Sequence, residues 1–444
     1  MSIARRSFLA SAGALLGASG ITAKLIGDEP PPVTQPRATS GDDVVEPAWT
    51  ERLTVTVGTK EGELVGSTDK VIQAAVDYVS RLGGGTVQLA PGTYRFRNAV
   101  TLRSRVRLIG SGTDTICLKE PSVTTQLAVD SDWYDQEITL ADPSGFKVGD
   151  GICLRTKNPH HGGVDVAKRT LIARDGARFK LDRALRQNFW LEGKTTVSTL
   201  FPILTGEEIA GGAIENLVLD GNRERNEHLD GNYAGCVFLQ DCQRISMRGI
   251  EARNYNGDGL SWQICHDVVV ENCHSHHHAG LGLHPGSGSQ RPIMRKNRLE
   301  ANQIGIFFCW GVKFGLADEN TVVGNKCGIS IGHRDTDNVI VGNTIRDSGD
   351  VAVLFRPERG KAFAPHRNRV VRNIIENNGP DASAAVDVQG ETEGVQILSN
   401  TISDRRPDTG RIGIRIGATT REIDLAANKI TGMTVEIEDL RSRK

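Results

Sequence analysis

The sequence predicts an all-β solenoid, and three observations carry that prediction. A short phrase of glycine and strand-forming residues recurs between 257 and 372, as Gly259-Leu-Ser-Trp262, Gly280-Leu-Gly-Leu283, Gly305-Ile-Phe-Phe308 and Gly328-Ile-Ser-Ile331. A fixed period with variable loops at one phase marks repeats that stack on their neighbours. The composition agrees: 50 glycines in 444 residues, 38% hydrophobic residues and many short β-branched runs favour strands and turns over amphipathic helices. Asparagines also recur at one phase, at Asn297, Asn320, Asn343, Asn373, Asn400 and Asn428, with Asn272 or Cys273 in that place one coil earlier. Stacked asparagines hydrogen-bond from coil to coil and satisfy the turn backbone, so these residues are read as structural and left out of the site.

Taken in order, residues 1–27 resemble a twin-arginine export signal, with Ala4-Arg-Arg-Ser-Phe-Leu9 followed by an apolar stretch. That stretch is too short and too rich in glycine and alanine for a stable membrane span. Residues 28–50, with Pro30-Pro-Pro32, read as a disordered linker. Asp69 to Leu82 is a helix, because Val71, Ile72, Ala75, Val76 and Val79 recur at helical spacing; Gly83-Gly-Gly85 stops it. A helix there covers the open end of a solenoid and blocks edge-to-edge pairing.

The helix followed by Gly83-Gly-Gly-Thr-Val-Gln-Leu-Ala-Pro-Gly-Thr-Tyr94 resembles the N-terminal cap and first coil of the pectin-lyase-like superfamily. Ile214-Glu-Asn-Leu-Val-Leu-Asp-Gly-Asn222 is similar to a common coil of the same superfamily. The resemblance implies a right-handed parallel β-helix solenoid, with cap and first coil at 51–119 and the main run of coils at 211–432. Residues 120–210 break the period. Ile138 to Asp150 and Leu171 to Leu181 read there as strands joined by tight turns, a small β-rich insertion with an exposed loop at Asn158-Pro-His-His-Gly-Gly163. Residues 433–444 read as an end strand and charged tail.

With 53 basic and 54 acidic residues, the chain has a formal charge of −1 and offers no electrostatic footprint for nucleic acid. Among the eight cysteines, Cys242 and Cys265 lie one repeat apart, within reach of a disulfide between adjacent coils. Buried free thiols stacked inside the solenoid are the reading preferred here.

The loops after the glycine strands bring polar, basic and aromatic residues to one edge of five successive coils. They are Gln263 and His266; His284, Gln290 and Arg291; Trp310 and Lys313; His333, Arg334 and Asp335; and Arg356, Glu358 and Arg359. His333, Arg334 and Asp335 are expected to form a catalytic network, with His284 and Lys313 as further candidates. Gln263, Gln290, Arg291, Trp310, Arg356 and Glu358 are expected to bind substrate, the tryptophan by stacking on a sugar ring. Ser287 and Ser289 lie in a Gly-Ser-Gly run without a nucleophile elbow and read as turn residues. Cys273-His-Ser-His-His-His278 is crowded, falls at the turn phase and shows no carboxylate partner in sequence, so it reads as a polar turn stack rather than a metal site. No calcium-loop spacing appears either, and no cofactor is expected.

The superfamily's members are mostly polysaccharide lyases, hydrolases, epimerases and binding proteins, and fold alone does not choose among them. An edge rich in cations on a neutral chain fits an anionic polysaccharide or oligosaccharide, uronic or sulfated. Arg291, Lys313, Arg334 and Arg356 would neutralise its carboxylate, and His284, His333 or Lys313 would act as base in a β-elimination. A hydrolase would use two carboxyl groups, for which Asp335 and Glu358 are the pair available. The three-aspartate polygalacturonase set and the Asp-Pro-His motif of β-helix epimerases are absent. A glycan-binding solenoid without catalysis is the third reading.

Overall fold

The computed structural model describes residues 50–407 and 410–442; the expected export signal and all but the last linker residue lie outside them. Each coil after the cap gives one strand to each of three long parallel sheets, of 13, 11 and 11 strands. The chain is therefore a parallel β-helix, with one α-helix at its start.

Register explains why the repeat folds this way. In the third sheet Val237, Leu260, Leu283, Ile306, Ile329, Val353 and Val386 stand directly over one another, all fully buried. Each such residue contributes about 1.5–3 kcal/mol by leaving water. A slip of one residue would turn the whole column outward. The alternate residues form an outward column of Phe238, Ser261, His284, Phe307, Ser330, Leu354 and Asp387. That column is the floor on which the site is built.

The asparagine ladder forms as the spacing predicts. Each backbone N–H donates to the side-chain Oδ1 one coil on: Asn297 to Asn320 at 3.0 Å, Asn320 to Asn343, Asn343 to Asn373 and Asn373 to Asn400 at 2.9 Å, and Asn400 to Asn428 at 3.0 Å. Cys273, not Asn272, begins the series, because its N–H donates to Asn297 Oδ1 at 3.0 Å. The residues just before the ladder positions, such as Lys296, Glu319, Arg372 and Ser399, have φ between 52° and 56°. Left-handed backbone is costly for these residues, and the buried ladder bonds offset that cost at each corner. Further ladders at Asn302–Asn325 and Asn338–Asn368, each joined by a 2.9 Å bond, hold the other corners.

The helix Asp69–Arg81 buries Ile72, Ala75, Val76 and Val79 against the first coil. Gly83 and Gly84 end it with φ of 88° and 107°. A Cβ on Gly84 would stand 2.4 Å from the Arg105 carbonyl oxygen, so only glycine fits this close approach.

Six antiparallel strands, from Thr124–Gln126 to Thr196–Ser198, interrupt the coils and enclose their own core around Leu140, Phe146, Leu171 and Phe179. All eight cysteines are free thiols, and the Cys242 N–H lies 3.4 Å from Cys265 Sγ on the next coil. The histidine run forms the strand His274–His276 of the second sheet. There His274 stacks on His276 at 4.0 Å and the two rings face Glu300 and Glu251 at 3.3 and 3.4 Å. These carboxylates come from neighbouring coils, which is why the local sequence did not reveal them. Among the described residues no helix is long and apolar enough to cross a membrane.

Candidate active site

Asp258 opens one third-sheet strand, Asp258–Gln263, and His284 lies on the next, Leu281–Gly286. His284 points outward, and its Nδ1 meets Asp258 Oδ2 at 2.8 Å; both residues are 3% exposed. The other Asp258 oxygen accepts the Leu281 N–H at 2.9 Å, which fixes the carboxylate. Ser261 Oγ lies 3.4 Å from the same Nδ1 and donates to the Gly231 carbonyl at 2.9 Å. Nδ1 is thereby committed to carrying a proton toward Asp258, and Nε2 makes no hydrogen bond among the described residues. An imidazole fixed in this way is built to accept a proton at Nε2.

The segment 228–233 folds over this pair. Its turn closes when the Asn232 N–H donates to Asp230 Oδ1 at 2.8 Å and the Tyr233 N–H to the Asp230 carbonyl at 2.9 Å, as short polar turn residues favour. A Cβ on Gly231 would lie 1.7 Å from Asp258 Oδ2, so the turn reaches the buried carboxylate only because this residue is glycine. The resulting cleft holds about 540 Å³ and is lined by Asp230, Tyr233, Gln263, His284, Phe307 and Trp310, among others. Gln263 donates to Ser261 Oγ at 3.1 Å, which ties the cleft's floor to the histidine's surroundings. Burial, with Asp230 and Asp165 nearby, raises the Tyr233 phenol above its usual range, so it keeps its proton.

A second cluster stands behind the cleft's far wall. Trp310 is 55% exposed and stacks on His333 at 4.4 Å, with the rings 22° apart. His333 packs in turn on Phe363 at 4.9 Å and lies 3.7 Å from Glu358. Arg356 is the hub: Nε to Glu358 at 3.0 Å, Nη1 to Ser330 Oγ at 2.9 Å and Nη2 to Asp335 at 3.5 Å. Asp335 is fully buried, and its two oxygens accept the Val312 and Gly332 N–H groups at 2.9 Å each. Burial pushes its carboxyl up to about 7, while Arg356 and the two N–H donors favour the charged form.

The structure brings Gln263, His284 and Trp310 to one cleft, with His333, Asp335, Arg356 and Glu358 packed behind it. Gln290 and Lys313 fall on a separate row with His266 and Thr336, past the turn that carries Trp310. Gln290 spends its amide on the Gly288 and Gly311 carbonyls at 2.8 and 3.2 Å. Arg291 pairs with Asp267 at 2.6 and 2.9 Å on an exposed corner. Arg334 lies over the Phe363 ring at 4.2 Å and donates to the Ala362 carbonyl, and Arg359 lies 4.9 Å from the same ring. Sequence reading missed Asp258, Ser261, Gly231 and Tyr233. Asp258 had a usable signal, since it sits between two glycines at the start of a repeat. The segment 228–233 lies in a long connection between the coil strands Val218–Asp220 and Gly235–Gln240, ahead of the repeated glycine phrase, and carries none.

Residues 211–345 match a family model described as a right-handed beta helix region. Two mannuronan C-5 epimerase A-modules of Azotobacter vinelandii have a similar fold over 86% of this chain. They are AlgE4, with a TM-score of 0.54, 16% identity and 97% of its chain covered, and AlgE6, with 0.53, 17% and 95%. A capsule K1-specific depolymerase of Klebsiella phage K64-1 is 20% identical over 220 residues, which are 46% of this chain. The match covers 23% of that relative, so this chain spans well under half its length.

Proposed function

We propose that this chain, whose fold is that of a right-handed parallel β-helix, binds a polysaccharide along its third sheet and cleaves an anionic one, uronic or sulfated, by β-elimination. The His284–Asp258 pair at the floor of the cleft carries this reading. In the proposed step Nε2 of His284 takes the proton from the carbon beside the sugar's carboxylate. The bond from the neighbouring carbon to the glycosidic oxygen then breaks, and Tyr233 gives its proton to the departing oxygen. Asp258 stabilises the imidazolium that forms. Lys168, whose Nζ donates to the Tyr233 carbonyl, brings a cation beside the cleft to offset the developing charge. Trp310 offers its exposed face to a sugar ring, and His333 keeps that face in place.

Relatives named for acting on a bacterial capsule and on mannuronan support a polysaccharide as partner. The twin-arginine pattern of Ala4 to Leu9 supports export to where such polymers lie. Hydrolysis by Asp335 and Glu358 is disfavoured, because Arg356 engages both and Asp335 is fully buried. Epimerisation would use the same proton removal, with the proton returned and no bond to the glycosidic oxygen broken.

The test is incubation with uronic and sulfated polysaccharides, following ultraviolet absorbance of unsaturated ends, reducing ends and deuterium uptake from heavy water. New absorbance that disappears in His284→Ala supports elimination. Reducing ends without absorbance would replace it with hydrolysis, and deuterium uptake without new ends with epimerisation. Binding with none of these signals would leave a glycan-binding solenoid.

A further inference from the structure

A second and larger cleft, of about 950 Å³, opens between the insertion sheet and the third sheet of the solenoid. Gln240 lines both clefts, so the two adjoin at that residue. Its charged lining is Lys168, Arg169, Arg183 and Arg186 against Asp182 and Glu207.

These groups differ in how much charge they have left to give. Arg169 is spent within the insertion, donating to the carbonyls of Arg183, Ala184 and Leu185, and so holds the segment that carries Arg183 and Arg186. Asp182 accepts the Thr170 N–H at 2.8 Å. Arg183 reaches Glu207 across the cleft at only 3.9 Å, with both side chains more than half exposed, a pair worth little in water. Lys168 has the Tyr233 carbonyl and the face of Phe238 at 4.0 Å and makes no ion pair among the described residues, Glu207 acting on it only from a distance. Arg186 stands on a left-handed backbone, φ 70°, and its guanidinium makes no hydrogen bond or ion pair among the described residues. Two basic side chains that make no ion pair among the described residues thus line one cleft together with Phe201 and Phe238.

We propose that this cleft is a binding site for further acidic sugar residues of the same polysaccharide, held by Lys168 and Arg186. The inference rests on the polysaccharide reading above and explains what the insertion contributes, namely anion contacts that the central cleft lacks. The ligand chemistry is a carboxylate or sulfate group on a sugar chain, to which lysine offers a point charge and arginine a planar fork.

The experiment is affinity electrophoresis of the full chain carrying His284→Ala, so that no polymer is consumed, in gels containing a polyuronate, a sulfated polysaccharide or a neutral glucan. Retardation by the polyuronate alone, or by the sulfated polymer alone, supports the site and identifies the acidic group. Adding Arg186→Ala or Lys168→Met should weaken that binding about tenfold, as loss of a hydrogen bond to a charged group does. Arg186 is exposed, so its variant tests the site even if Lys168→Met folds poorly. Unchanged affinity in Arg186→Ala and in a folded Lys168→Met overturns the proposal, as does retardation by the neutral glucan alone or by no polymer. Turnover plays no part here, so a protein that binds without cleaving would retire the elimination reaction and leave this assignment standing.

Discussion

Two regions, one on the third sheet and one in a turn that follows one of its strands, place a histidine near a buried aspartate, and they use the carboxylate in opposite ways. Asp258 gives one oxygen to the His284 ring and the other to a single backbone N–H. Asp335 gives both oxygens to backbone N–H groups and its remaining charge to Arg356, while His333 turns to Trp310 and Glu358. The first arrangement fixes a tautomer and leaves a ring nitrogen open to the cleft. The second fixes a turn. A histidine and an aspartate close in sequence are therefore weaker grounds for catalysis than an account of what each carboxylate oxygen already holds.

The comparison is sharpened first by removing the base. His284→Ala should lower the rate of product formation by about a hundredfold or more, the usual contribution of a positioned general base, with thermal unfolding used to separate loss of the base from loss of the fold. Asp335→Ala should act mainly on stability, by about 2–4 kcal/mol, because two buried N–H groups and Arg356 lose their acceptor; thermal unfolding checks this. Trp310→Ala should raise KM by roughly five- to tenfold with a smaller change in kcat, since one ring contact with a sugar is worth about 1 kcal/mol or slightly more. His333→Ala should move KM the same way by less.

The smallest effect concerns a buried cation at the insertion's junction with the coils. Lys119 is 1% exposed, donates to Asn226 and the Thr199 carbonyl, lies over the Phe201 ring at 4.5 Å, and is lowered by burial from 10.5 to about 7. Between these values the unfolded chain holds a proton that the folded chain has released, so this residue makes stability rise with pH from about 7 toward 10.5. Lys119→Met should remove that slope and raise Tm by roughly 2–4 °C near neutral pH. Thermal unfolding of both proteins across that range checks the sign.

Much of the fold was legible because a solenoid writes its geometry into its period. The capping helix follows from residues close together in sequence, and the ladder from Asn297 to Asn428 from one residue type recurring at one phase. Partnerships between coils were harder to read. Arg291, Arg334 and Arg356 look like free cations along the chain, yet Asp267 lies one coil away from the first, Phe363 packs on the second, and Ser330 and Asp335 of the preceding coil meet the third. The period sets Ser261 beside His284; Asp258 reaches the ring only because a strand start lets its side chain turn outward beneath Gly231. Tyr233 sits in a turn outside the repeat, where no periodic signal points. Gln263 and His284 lie on third-sheet strands rather than on the loops expected for them, and Trp310 sits in the turn beyond, yet the repeat brings the three to one cleft.

The most direct measurement is the same substitution made at both aspartates, with initial rates read on a uronic polysaccharide. Asn in place of Asp258 turns an amide toward Nδ1 and favours the wrong tautomer, so Asp258→Asn should lose at least about a hundredfold in kcat while staying folded. Asn in place of Asp335 keeps an acceptor for Val312, as the asparagine ladders do throughout the solenoid, so Asp335→Asn should stay within a few-fold of the parent. Equal losses, or a larger loss at Asp335, would contradict the assignment of His284 and Asp258 as the catalytic pair.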